Sequence, residues 1–187
     1  MSKDKIIVYF HVATIGNYQA IFDEMFGNIL VSGLATDADR IYISVVGTGQ
    51  SEYPKLHNIR YSQHPDVSIG EFHTLSKIKM FSDISDDNTK ILYLHTKGVS
   101  TPTVQPITDW RNYMVYFNVN KYKDVINILD EYDTCGVDLV NEPATHYSGN
   151  FWWANSSFIK TLPTIDEISN PNSSVILTLR HNAEFWL

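Results

Sequence analysis

A single cysteine, Cys135, in 187 residues excludes an internal disulfide and any cysteine-built zinc site. Its apolar flank reads as a small buried hydrophobe rather than a nucleophile. Basic residues are the minority: 14 Lys and Arg stand against 21 Asp and Glu, for a formal charge of −7. Without a Lys/Arg run the chain lacks the basic footprint that duplex nucleic acid or an anionic membrane surface requires. No apolar run approaches the roughly 18 residues of a membrane span. The start, Met1-Ser2-Lys3-Asp4-Lys5, precedes too short an apolar stretch, with no small-residue cleavage site, to read as a secretory signal, so a cytoplasmic location is expected. Aromatic residues are plentiful at 13%, with 11 Tyr, 9 Phe and 4 Trp. They suit either a packed core or a wall that stacks on flat or pyranose-like ligands.

Ile6-Ile7-Val8-Tyr9-Phe10 is apolar without alternation, as a strand buried on both faces must be. From Asn17 to Leu30 the apolar residues recur at three and four, which predicts an amphipathic helix ended by Gly33. Ile41 to Val46 is the next strand, ended by Gly47, and the three elements make a βαβ unit. Asn58 to Ser62 reads as an edge strand, Ile69 to Ile84 as a helix, and Ile91 to Leu94 as a buried strand. After a loop with Pro102 and Pro106, Ile107 to Leu129 follows helical spacing as two helices or one bent one. Thr134 to Val140 and Gly149 to Ala154 read as strands, Ser156 to Leu162 as a helix, and Asn170 to Ser174 as a loop. No repeat or linker divides the chain, so one α/β domain over residues 1–187 with a mostly parallel sheet is expected.

In such a sheet ligands bind outside the carboxyl ends of the strands, and three of those places are polar. They are His11 after Phe10, His95-Thr96-Lys97-Gly98 after Leu94, and His146-Tyr147-Ser148-Gly149-Asn150-Phe151-Trp152-Trp153 downstream of Val140. The literal Asp37-Ala38-Asp39, and Asp83, Asp86 and Asp87, precede strands and so fall at the opposite, amino edge as solvated turn carboxylates.

Tyr93-Leu94-His95-Thr96-Lys97-Gly98-Val99, Asp109-Trp110-Arg111, Ser148-Gly149-Asn150-Phe151-Trp152-Trp153-Ala154 and Ala183-Glu184-Phe185-Trp186 resemble a family of small glycosyltransferases found in bacteria and large algal (chlorella) viruses. The resemblance implies the GT-A fold, a mostly parallel mixed sheet flanked by helices, and transfer of a hexose or deoxyhexose from a nucleotide sugar, UDP-linked, to a glycan acceptor. It places the donor against His11, Val12 and Ala13, against Thr96, Lys97 and Gly98, and against Ser148, Gly149, Asn150, Trp152 and Trp153. Of the adjacent tryptophans, one is expected to line a sugar pocket while the other packs inward.

GT-A enzymes commonly hold a divalent cation with an Asp-x-Asp at a strand exit, where this chain has His95-Thr96-Lys97. His95 and His146 are then the candidate metal ligands, a nitrogen-rich set that suits manganese better than magnesium. Lys97 is the competing counter-charge for the diphosphate. Glu184, between Ala183 and Phe185, matches the late acidic residue at a helix start that serves such enzymes as general base. Asp109 is the second candidate base, in a position that equally suits a helix N-cap. Two other classes remain: a noncatalytic carbohydrate- or nucleotide-binding module, and a nucleotidyltransferase, for which His11 to Gly16 is poor in glycine and basic residues. With Leu187 so close behind Glu184, acceptor-binding residues are expected on a further downstream segment.

Overall fold

Every side chain of β1 (Ile6–Ala13) through Val12 is buried, because the strand lies between two parallel neighbours in the middle of the sheet. The computed structural model describes residues 4–50, 52–100, 104–169 and 179–187. In α1 (Tyr18–Val31) the apolar stripe Ile21, Phe22, Met25, Phe26 and Ile29 is buried. The helix ends where Gly33 takes a φ of 86° and donates its N–H to the Leu30 carbonyl. A short α2 (Leu34–Asp37), absent from the sequence reading, leads into β2 (Arg40–Val46), which pairs in parallel with β1. The edge strand is β3 (Ile59–His64), half-exposed along its length. A 3-10 turn over Val67–Ile69 and α3 (Phe72–Ile84) follow, and β4 (Lys90–His95) returns to the other side of β1, again in parallel.

The predicted run from Ile107 to Leu129 is α4 (Gln105–Val115), a π-helical turn over Tyr116–Asn120 and α5 (Tyr122–Ile128). Within that wider turn the Asn118 carbonyl accepts the indole N–H of Trp153 at 2.8 Å. The single strand predicted from Thr134 to Val140 is two pieces. β5 (Thr134–Gly136) joins the main sheet and β6 (Leu139–Val140) forms a ribbon with β7 (His146–Tyr147), the chain turning between them at Asp138 with φ 53°. β8 (Trp152–Asn155), α6 (Ser156–Thr161), α7 (Ile165–Ser169) and α8 (Leu179–Glu184) complete the described chain. The loop predicted at Asn170 to Ser174 lies outside the described residues, as does Pro102.

The sheet order is β3-β2-β1-β4-β8-β5, with the first three pairings parallel and the last two antiparallel. The fold is α/β with a mixed central sheet covered on both faces. Phe10, Ile43, Leu94 and Trp153 pack on α1, α4 and α5 on one side. Ile7, Tyr9, Tyr93 and Trp152 pack on α3, α6 and α8 on the other. Chain order reverses between β1 and β4, so their carboxyl ends splay into the crevice where such folds bind ligands. No helix among the described residues is long and apolar enough to cross a membrane.

Candidate functional site

A cavity of about 590 Å³ opens at that crevice, lined by His11 and Ala13 from β1, His95 to Ser100 from the end of β4, Val67 to Phe72, Ile107 and Trp110 of α4, and Ala183. Its shape depends on a close approach between the two strand exits. Gly16, at φ 55°, leaves no room for a side chain, since a Cβ there would sit 2.1 Å from the Val99 carbonyl oxygen. Thr96, buried, stitches the exits together by accepting the Ala13 N–H at 3.3 Å and donating its own N–H to His11. From below, Arg111 donates to the Lys97 carbonyl at 3.2 Å while its guanidinium forks onto Glu24 at 3.0 and 3.1 Å. The Lys97 ammonium lies 4.3 Å from the centre of the Trp110 ring, a cation–π geometry on the wall of the cavity.

The chemical centre is a residue that sequence reasoning missed. Glu71, just ahead of α3, accepts from His95 Nδ1 at 3.1 Å through Oε1, and from the Tyr93 hydroxyl and the Asn150 amide, both at 2.6 Å, through Oε2. Burial alone would raise this carboxyl. The charge interaction and hydrogen bond with His95, then His11 and Tyr93, outweigh it and hold Glu71 well below the usual carboxylate range. Burial, then the Glu71 charge and hydrogen bond, push the Tyr93 hydroxyl far up, so it stays a donor. His11 and His95 are register partners on adjacent strands. Burial lowers His11 to about 4 against the opposing pull of Glu71, so it stays neutral, with Nδ1 on the Thr74 hydroxyl at 2.8 Å. His95 Nε2 is buried without a partner among the described residues, a condition that costs about 1–3 kcal/mol unless a ligand or water relieves it. A carboxylate between Gly70 and Phe72 at a helix entrance was the one signal available for Glu71.

The other expected site residues divide sharply. His11, Ala13, His95, Thr96, Lys97 and Gly98 line the cavity together. His11 and Val12 lie inside β1 rather than beyond it, and Val12 points into the core on the opposite face from His11. Both tryptophans are core residues: Trp152 and Trp153 are buried on opposite faces of the sheet, and neither lines the cavity. The close approach at Gly149 is to protein, because a Cβ there would lie 2.5 Å from Met114 Sδ. Ser148 donates its N–H to the Asp138 carbonyl, at the β6–β7 ribbon. Asn150 serves the site indirectly, holding Glu71 while its Oδ1 accepts from Trp152.

Asp109 is exposed on α4, accepting from Gln105 one turn earlier, and Val104 rather than Asp109 is the N-cap. Glu184 closes α8 instead of opening it, half-buried beside the cavity-lining Ala183. The carboxylates expected as solvated turns have partners: Asp39 accepts the Ile6 N–H, Asp37 the Tyr122 hydroxyl, and Asp83 and Asp87 pair with Lys79 and Lys160.

His146 is remote from the proposed metal role. Its Nδ1 bonds the Ala144 carbonyl at 2.8 Å, its ring sits edge-on against Phe185, and it does not line the cavity. Among the described residues no group of three or more His, Cys, Asp or Glu could hold a metal ion. His95 lines the cavity and His146 does not, so the two imidazoles expected as ligands do not share one site.

No curated protein matches the chain. A family model described as "Domain of unknown function (DUF8361)" matches residues 9–185, which take in both strand exits, Glu71, the Trp152-Trp153 strand and Glu184. Over nearly its whole length, therefore, the chain belongs to the DUF8361 family.

Proposed function

We propose that this chain is a glycosyltransferase of the GT-A type that moves a sugar from a nucleoside diphosphate, UDP in the first instance, to a saccharide acceptor in the cytoplasm. The observation that carries the reading is the cavity at the β1–β4 reversal, with Lys97 held over Trp110 on its wall. The resemblance in the strings around His95, Asn150 and Glu184 points the same way.

In this reading the Lys97 ammonium takes the diphosphate charge that builds as the sugar departs. The backbone of Ala13, Thr96 and Gly98 shapes the nucleotide side, and the neutral His11 avoids adding charge to the floor. Glu184 accepts the proton of the acceptor hydroxyl as that oxygen bonds the anomeric carbon and the bond to the diphosphate breaks. Asp109, exposed and held by Gln105, has no part in it. No step is routed through a metal.

A thermal-shift screen of UDP, GDP and CMP in EDTA, repeated with manganese, tests the donor, because a ligand that binds only the native state raises the melting point. The reading expects UDP to stabilise the protein in EDTA, and prolonged incubation with UDP-sugars to release UDP. Stabilisation by UDP with no release from any UDP-sugar would identify a binding module instead.

A further inference from the structure

The imidazole of His95 is held at one nitrogen and left without a protein partner at the other. Nδ1 faces the Glu71 carboxylate at 3.1 Å, which favours a proton on that nitrogen, and a ring carrying that one proton presents a bare lone pair at Nε2. That nitrogen is buried, bonded by no described group, on a residue that lines the cavity. Buried acceptors in native proteins are almost always satisfied, so an orphan beside a cavity marks a missing partner.

We propose that Glu71 is a positioning residue that fixes the tautomer and plane of His95, so that Nε2 accepts a hydrogen bond from a hydroxyl of an uncharged group in the cavity, the sugar ring of the donor. This rests on the reading of the cavity as a nucleotide-sugar site. Charge decides which part of the donor meets which residue. A diphosphate brought to Nε2 meets a lone pair backed by an ionised carboxylate, with His11 too deeply buried to protonate in compensation. A hydroxyl meets an acceptor at the same place. Lys97 supplies the positive charge the diphosphate requires, so the sugar goes to His95 and the phosphates to Lys97.

The arrangement around Glu71 is built to hold one orientation. Tyr93 and Asn150 occupy Oε2 and leave Oε1 for His95. Asn150 is itself oriented by the Trp152 indole and takes a φ of 57°, which an asparagine adopts more readily than most residues. Phe151 meets the His95 ring edge-on at 5.2 Å, which restricts rotation of the imidazole.

Two readouts test this. Two-bond ¹H–¹⁵N correlation of the His95 ring in the wild type reports the tautomer directly, and the proton is expected on Nδ1, with mixed tautomers in Glu71→Gln. Calorimetric titration then compares UDP with UDP-glucose, UDP-galactose, UDP-N-acetylglucosamine and UDP-rhamnose. On the wild type the tightest of these sugars should exceed UDP by about fivefold, the gain of one net hydrogen bond. His95→Asn keeps an amide able to donate to Glu71 and lacks Nε2, so the gap should shrink to within about twofold. Survival of the full gap in that variant, the absence of any gap in the wild type, or a proton on Nε2 would each overturn the proposal. Failure of UDP and all four sugars to bind would defeat the donor reading and the ligand named here with it. The wild-type tautomer still decides Glu71's hold on the ring, even where a variant does not fold.

Discussion

His11 and Glu71 bind acid stability to the site. Burial depresses His11 from 6.5 to about 4, so between those values the unfolded chain takes up a proton that the folded chain refuses. Stability is therefore full above about pH 6.5 and falls as the pH drops toward 4, by on the order of 3 kcal/mol for this group. Glu71, depressed below its ordinary value, adds a loss of the same sign once the pH falls under the carboxylate range. Urea midpoints measured from pH 7.5 to 4.5 should hold level to about pH 6.5 and decline below it, and His11→Asn, which can keep the Thr74 contact, should flatten the upper part of that decline. A wild-type profile flat to pH 5 would contradict the burial assigned to His11. At Lys97, replacement by Ala removes one charge-assisted contact to the diphosphate, so UDP should bind more weakly by about 1.5–3 kcal/mol in calorimetry. Equal affinity would remove Lys97 from the donor site. Glu184→Gln should keep UDP binding and lower transfer at least about 10²-fold, the lower range for losing a general base. Full transfer in that variant would pass the role to another group.

Among the elements, the loop after β4 carries the account, and Arg111 of α4 holds it. Its guanidinium is buried while Glu24 is partly open to water, so Arg111→Ala should cost about 2 kcal/mol, less than a fully buried pair would. The variant should also bind UDP more weakly than its stability loss explains, because the Lys97 carbonyl loses its anchor. Urea denaturation and calorimetry on one sample separate the two effects. This loop was legible in advance because Ile91 to Leu94 is an uninterrupted apolar run, so Thr96 and Lys97 fell just beyond the strand and His95 at its last residue. The same logic misplaced His11 and Val12: β1 continues to Ala13, and a buried histidine bonded to Thr74 does not interrupt a strand as it does a hydropathy pattern. The tryptophan pair was half legible. Alternation put Trp152 and Trp153 on opposite faces, yet both faces of a central sheet covered by helices are core. Glu71 was not legible, since its partners Tyr93, His95 and Asn150 come from the end of β4 and from a loop 79 residues on, and local sequence carries no record of such a meeting.

For the whole molecule, sheet topology decides where chemistry can happen. The reversal between β1 and β4 opens one crevice, and neighbouring elements line it: α3 through Phe72, with Glu71 just ahead of it, α4 through Ile107 and Trp110, and α8 through Ala183. The central claim is that a nucleoside diphosphate enters this crevice. The most direct measurement is ¹H–¹⁵N amide shift mapping of the labelled protein titrated with UDP in EDTA. The account predicts saturable shifts concentrated at Ala13, Thr96, Lys97, Gly98 and Glu71, with the exposed face of α1 and the β6–β7 ribbon unmoved. Shifts clustered away from those residues, or none at millimolar UDP, would contradict it.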